Sequence, residues 1–363
     1  MLNTDHPELI YLGRSRLHRN RANLIQTLHT VAALTDIGVK TRLYLPPWHS
    51  PVSPRKRLLE MGIESHADIR ASQLLHRRWP ASAFARFHRR MLRRAEAVYV
   101  RSPELSLGLA SQGIPHHFEV HTLQPLIQKG QLKQLIEHHR KGVIGQLIPI
   151  SQSAASALIE AGADEQRIHV SPSGVELNAF EGLPELDPER LSHPRIVYLG
   201  RISRDRGLDI LTHLAASSLG EVVLVGDCDD PVPDQPGLSR RGAVPHREVA
   251  QLYAESELVA LPYQADLSHA DGISPMKLFE AMAAGRPIIA SDIPPLREIL
   301  QPGRNALLAD PKDPVSWERA VRELSHNPDL AMRLADQARQ DASAYGWPKR
   351  AAGIVNAIGL RAC

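Results

Sequence analysis

Residues 272–292 read GISPMKLFEAMAAGRPIIASD, a serine, a proline, a lone lysine and a lone glutamate set around an otherwise apolar helical pattern. Ser274 is expected as an N-cap and Pro275 as the first helical residue, where proline's missing N–H costs nothing. The helix should run to Ala284 and stop at Gly285, with PIIASD as a short buried parallel strand behind it. Such a helix start presents unbonded backbone N–H groups and the positive end of a dipole, which suits a phosphate. The same features describe an ordinary capped helix in an α/β domain. Local chemistry does not choose between them.

A second concentration of chemistry is charge. Residues 1–100 hold 17 Lys plus Arg against 7 Asp plus Glu, so that stretch carries +10 and the remainder about −7 of the net +3. In RRWPASAFARFHRRMLRRAEAVYV, Arg86, Arg89, Arg90, Arg93 and Arg94 fall at helical spacing on one face. Phe84, Phe87, Met91, Ala95 and Val98 fall on the other. This is either a solvated helix packing its apolar side inward or a surface for anionic lipid or an anionic acceptor. No helix-turn-helix, RNA-recognition or zinc-finger pattern accompanies the charge, which argues against nucleic acid.

At 363 residues the chain is expected to hold two domains of ordinary soluble composition, 43% hydrophobic and 23% charged. The start, MLNTDHPELIYLGRSRL, lacks a signal-peptide pattern, and no apolar run approaches spanning length. Cys228 and Cys363 make neither a disulfide framework nor a zinc cluster. The expectation is cytoplasmic, with peripheral contact at the inner face of the membrane left open.

These groups need elements to position them. ELIYLG, KTRLYLP, AVYVRS, HHFEVHT and GQLIPIS read as strands separated by helical patterns, the signature of a parallel sheet covered by helices. FEGLPELDPERLSHP then interrupts the alternation. RIVYLGR restarts it, followed by EVVLVGD, LVALPY, PIIASD and NALLAD with helices between. The domains are expected as residues 1–180 and 195–345, with 181–194 as linker and 346–363 as a last helix returning to the first domain. Neither half carries G-x-G-x-x-G or a P-loop, so NAD and P-loop ATP lose their usual support. Ligands in such sheets bind beyond the carboxyl ends of the strands, and two such domains would place a site in the cleft between them.

In this setting several stretches resemble the retaining glycosyltransferases of family 4. YLGRISRDRG is similar to that family's GR…KG loop, and GISPMKLFEAMAAGRPIIASDIPPLREIL to its donor-binding helix and the following strand. IPISQSAASALIEAGADEQRIHVSPSGVELNAF resembles the segment closing its N-terminal domain, and VYVRSPELSLGLASQGIPHHFEVHT the stretch leading to its active-site histidine. The matches run in family order over most of residues 95–310. The resemblance implies an α/β GT-B fold, two Rossmann-like doubly wound domains facing a central cleft. It implies retaining transfer of a hexose from a UDP-sugar or GDP-mannose to a hydroxyl of a sugar, a lipid-linked glycan or a small molecule. It implies no cofactor and no obligatory metal.

Residue by residue, the resemblance makes Gly200, Arg201 and Arg206 the diphosphate loop, two cations that favour the transition state as charge grows on the leaving group. The family usually has Lys where Arg206 stands, which keeps the charge and changes the shape. Glu280 matches the second of two family glutamates, implied to accept from ribose hydroxyls. The first falls on Gly272, with Asp271 one residue earlier, a departure from the pattern. Backbone N–H groups near Ile273, Ser274, Met276 and Lys277 would face the diphosphate, and Val244 in RGAVPH the base. His121 in FEVHT is implied to lie beside the transferred sugar, contacting a hydroxyl or steadying charge at the anomeric carbon. Asp227 and Asp229 in GDCDD mimic a metal-binding Asp-x-Asp, but with the arginines supplying positive charge the stretch reads as a solvated loop. The rivals are a nucleotide-sugar epimerase on the same fold and a non-catalytic protein binding nucleotide-sugar or a partner.

Overall fold

The computed structural model describes residues 7–19, 21–48, 52–265 and 273–360. It divides into two compact units, Met1–Ser173 with Trp347–Cys363, and Gly174–Gly346.

The first unit is built on a six-stranded parallel sheet of β1 (Leu9–Leu12), β2 (Thr41–Leu45), β3 (Asp68–Ala71), β4 (Ala97–Val100), β5 (His116–Val120) and β6 (Ile144–Pro149), ordered β3-β2-β1-β4-β5-β6. The central strands LIYL and AVYV are buried at every position, as expected where helices cover both faces of a parallel sheet. The winding direction reverses between β1 and β4. Their carboxyl ends are therefore the topological switch point, where ligands of such sheets bind. The last helix, Trp347–Ile358, belongs to this unit. Its Trp347 stacks on His29 of the helix Ala22–Asp36 with ring centroids 5.1 Å apart.

The second unit repeats the plan with β7 (Arg195–Leu199), β8 (Glu221–Val225), β9 (Leu238–Arg241), β10 (Leu258–Leu261), β11 (Ile288–Ser291) and β12 (Leu307–Ala309), ordered β12-β11-β10-β7-β8-β9. Its switch point lies at the carboxyl ends of β7 and β10. Both units thus have a Rossmann-like doubly wound order.

Three expectations need correction. Residues 181–194 are not a linker, because they are built into the second unit. There Leu191 is fully buried, Arg190 pairs with Glu257 at 2.8 Å, and the Pro184 carbonyl accepts from Arg286 at 2.8 Å. Arg286 explains the attachment. Its buried guanidinium also donates to carbonyls of Tyr253, Ala254, Ser256, Ala284 and Gly285, filling the exposed ends of two helices.

The arginine-rich stretch is not one helix either. It breaks at His88, whose φ of −107° and ψ of 20° separate Ala83–Phe87 from Arg89–Leu92, and Val98 lies in β4. Phe84 packs inward, but Phe87 is 68% exposed beside Arg86, Arg89, Arg90, Arg93 and Arg94, all exposed. Finally, β3 (DIRA) and β9 (LSRR) lack the apolar runs that mark the other strands. Both are edge strands, where charged residues are the rule.

Candidate functional site

At the switch point of the second unit the chain leaves β7 through Gly200, whose φ is +131°. A Cβ there would lie 2.3 Å from the Lys277 Nζ, so the glycine lets the lysine head reach the end of the strand. Gly207 plays the matching part beside β10. Its φ is +82°, and a Cβ would sit 2.1 Å from the Pro262 carbonyl oxygen. Between the two glycines runs the loop that carries Arg201 and Arg206.

Lys277 comes from the second position of the helix Met276–Ala283. The helix starts one residue later than expected. Pro275 is its N-cap in an extended conformation (φ −76°, ψ 125°), so Ser274 is not the cap and Pro275 is not the first helical residue. Proline's fixed φ suits this extended cap as well as the first turn. The Lys277 stem is half-buried, while its Nζ is shielded from solvent and has no hydrogen-bond partner among the described residues. Nζ lies 4.1 Å from the ring centroid of Tyr198 and 5.5 Å from that of Tyr263, faces that favour a cation. Burial above all, then the charge of Arg206, lowers the ammonium pKa to about 7, with Glu280 opposing. Arg206 is similarly placed, its Nε buried and without a partner among the described residues. Buried N–H groups are ordinarily hydrogen-bonded, so these two basic side chains, one at a helix head and one in the adjoining loop, have the chemistry to hold an anion.

Arg201 stands apart from that pair. Its Nε is 2.7 Å from Asp229 Oδ2, and 55% of its side chain is exposed. The acidic stretch is solvated as expected, with Asp227, Cys228 and Asp229 exposed, and its backbone is tied to the arginine loop. Ile202 N–H donates to the Asp227 carbonyl at 2.8 Å, Asp229 N–H to the Ile202 carbonyl at 2.9 Å, and Arg204 N–H to Asp230 Oδ2 at 2.9 Å. Among the described residues no group of His, Cys, Asp and Glu is arranged to hold a metal.

Glu280 lies on the same helix, nearly buried, with Oε1 2.8 Å from His246 Nε2. His246 follows Val244 by two residues, so the RGAVPH loop and the glutamate are physically joined. Ile273 is buried in the core of this unit, and Ser274 and Met276 are half-buried at the helix head. Asp271 and Gly272 lie outside the described residues.

His121 is in the first unit, one residue beyond β5. Both ring nitrogens are engaged, Nε2 with the carboxylate of Glu119 and Nδ1 with Arg101 Nη2 at 3.2 Å. The ring therefore has no spare nitrogen for a sugar hydroxyl in this arrangement. Burial first, then Arg101, holds its pKa down to about 4, so it is neutral at ordinary pH.

Sequence reasoning missed Tyr198, Tyr263, His246 and the side-chain role of Lys277 in the second unit, and Arg101, Glu119 and Arg350 in the first. A usable signal existed for one of them. Glu119 precedes His121 by two residues at the end of a strand, a spacing that puts both on one face.

Residues 193–327 match the family model described as "Glycosyl transferases group 1". This segment is similar to the glycosyl transferases of group 1. Among curated proteins, the D-inositol 3-phosphate glycosyltransferase of Xylanimonas cellulosilytica is 29% identical over 238 residues, 58% of this chain and 55% of that protein. The one from Frankia alni is 28% identical over 297 residues, 71% of each chain. The match to the Xylanimonas protein, like that to its Corynebacterium urealyticum counterpart at 51%, spans only about half of the relative's length. Among solved structures, Anabaena HepE in complex with UDP and glucose superposes with a TM-score of 0.73 at 17% identity, covering 98% of this chain and 100% of that one. Sucrose-phosphate synthase from Thermosynechococcus elongatus gives 0.71 at 17% identity, covering 96% and 97%. The fold is thus the GT-B fold.

Proposed function

We propose that the chain is a retaining, metal-independent glycosyltransferase that moves a hexose from a UDP-sugar or GDP-mannose to a hydroxyl of a sugar, lipid-linked glycan or small molecule. The observation that carries this reading is that Lys277 Nζ and Arg206 Nε, at the switch point of the segment that matches the group 1 model, are buried and without a hydrogen-bond partner among the described residues. As the bond from the anomeric carbon to the diphosphate breaks, negative charge grows on the leaving oxygen. Fixed cations there stabilise the transition state more than the ground state and do the work a divalent ion does elsewhere. Retention follows if the departing phosphate takes the acceptor proton on the face it leaves. Glu280, braced by His246, is the acceptor for ribose hydroxyls, and the complexes of HepE with UDP and with UDP-glucose favour uridine over guanosine.

The expected result of a thermal-shift panel of UDP, GDP and ADP with their sugars is a rise in melting temperature for one base only, since a ligand bound to the folded state alone stabilises by mass action. No shift with any of them would remove the donor reading. Transfer should survive EDTA unchanged. Loss with EDTA and recovery with Mn²⁺ or Mg²⁺ would move the diphosphate to Asp227 and Asp229.

The same reading includes peripheral contact with anionic lipid through the exposed arginines and Phe87. Among the described residues no helix is long and apolar enough to cross a membrane. Attraction of about 1 kcal/mol per basic residue should give reversible binding that weakens as salt shortens the screening length. Vesicles containing phosphatidylserine should therefore pellet the protein at low salt and release it at high salt. Equal pelleting with neutral vesicles, or none at all, would leave the arginines as a solvated face.

A further inference from the structure

The buried network behind His121 includes a residue from the far end of the chain. Arg350, on the last helix, is buried and lies 3.0 Å from Glu119 Oε2, and Glu119 is itself wholly buried in β5. Arg350 is held in place by donating to the Pro172 carbonyl at 2.8 Å and to Thr30 Oγ1 at 2.9 Å. Glu119 also accepts from the Tyr99 hydroxyl at 2.6 Å and from the His121 ring. On the other side of that ring, Arg101 donates to Nδ1, to the Asn23 carbonyl at 2.5 Å and to Thr27 Oγ1 at 3.2 Å.

We propose that Glu119 and Arg350 are positioning residues for His121, the final helix supplying the guanidinium that anchors the carboxylate that fixes the ring. The argument is one of proton placement. Arg101 can only donate, so Nδ1 must offer a lone pair, and a carboxylate can only accept, so Nε2 must carry the hydrogen. Both neighbours thus select the same neutral tautomer. A buried carboxylate requires a cation, and a histidine beside it would become that cation if no other were present. Arg350 fills that need and leaves His121 neutral. Burial alone would raise the Glu119 carboxyl, yet Arg350, His121 and Arg101 hold it well below the usual carboxylate range. The charged groups acting on the ring are Arg101 from the end of β4, Glu119 from β5 and Arg350 from the last helix, with Tyr99 and Tyr11 acting on Glu119 and Thr27 on Arg101. The catalytic consequence rests on the family resemblance, which implies that His121 lies beside the transferred sugar.

Imidazole NMR on the full chain, with His121 assigned by its loss in His121→Gln, tests the proposal without requiring turnover. The wild-type ring should be the Nε2–H tautomer and should not titrate above pH ~5.5. Arg350→Met removes a positive charge and should move the His121 midpoint upward by about one pH unit or more, and Arg350→Lys should restore most of it. Glu119→Gln removes a negative charge, so the midpoint should not rise, while Arg101 and the amide oxygen keep the Nε2–H tautomer. A part that merely props up the fold would not produce these opposite responses. In UDP-glucose hydrolysis and transfer, Arg350→Met should lower kcat by about tenfold to a hundredfold with donor KM little changed. An unchanged His121 spectrum in Arg350→Met with an intact melting transition would overturn the proposal. If that variant does not fold, Arg350→Lys and Glu119→Gln decide. A wild-type protein that binds no nucleotide-sugar would sink the functional reading and leave the spectral result standing.

Discussion

Arg206→Ala is expected to lower turnover by about a hundredfold or more, with Arg206→Lys partly active. The side chain comes from the loop between Gly200 and Gly207 and has a buried Nε–H that finds no partner among the described residues. Removing it takes away a cation that acts where charge develops, so the loss should appear chiefly in kcat. Arg201→Ala should cost less, because Arg201 is half-exposed and already paired with Asp229. Steady-state kinetics of both variants check the order. Equal losses would mean that Arg201 leaves Asp229 for the diphosphate when donor binds, and wild-type turnover in Arg206→Ala would dismiss the cation site.

Lys277→Met should separate stability from function. Its ammonium is held near pKa 7 in the folded protein against an ordinary 10.5. The unfolded chain therefore keeps a proton that the folded one gives up. The resulting cost to stability is full below about pH 7 and fades as pH rises toward 10.5. Replacing the lysine by methionine removes that cost, so the variant should melt several degrees higher at neutral pH. Donor binding should move the other way. A diphosphate beside Nζ favours the charged form, so wild-type affinity should be greatest below about pH 7 and fall as pH rises above it, by up to about tenfold per unit, with proton uptake on binding. Calorimetry with UDP-glucose or GDP-mannose, whichever raises the melting point, in buffers of different ionisation enthalpy reads this directly. The methionine variant should bind weakly with a flat pH profile. Unaltered affinity in Lys277→Met would show that the amine faces no phosphate.

The legible parts of this chain were those in which local pattern and tertiary role coincide. Fully apolar runs such as LIYL, AVYV and LVAL are buried parallel strands because helices cover both faces, and no other element accounts for them so simply. Edge strands β3 and β9 escaped notice because solvent on one side relaxes the pattern that reveals the rest. The two halves of the arginine stretch obey helical spacing yet break at His88, where packing of Phe84 against His88 and Tyr44 overrides periodicity. At the site, glycines, arginines and the helix head were visible as residue types in order. What could not be read was which cation is buried and which is paired outward. That depends on Tyr198 and Tyr263, residues from two strand ends that come to Lys277 only in the folded sheet. The contribution of Arg350 was hidden for the same reason, 231 positions from Glu119 in sequence and 3.0 Å away in space.

The most direct measurement is a crystal structure of the protein with bound UDP-glucose, or with GDP-mannose if that is the stabilising donor. The account predicts that the diphosphate lies at the carboxyl ends of β7 and β10 with its oxygens within hydrogen-bond distance of Lys277 Nζ and the Arg206 guanidinium, close to Gly200, and the ribose hydroxyls on Glu280. A diphosphate bound instead through a metal ion at Asp227 and Asp229, with Lys277 still unpaired against Tyr198, would contradict it.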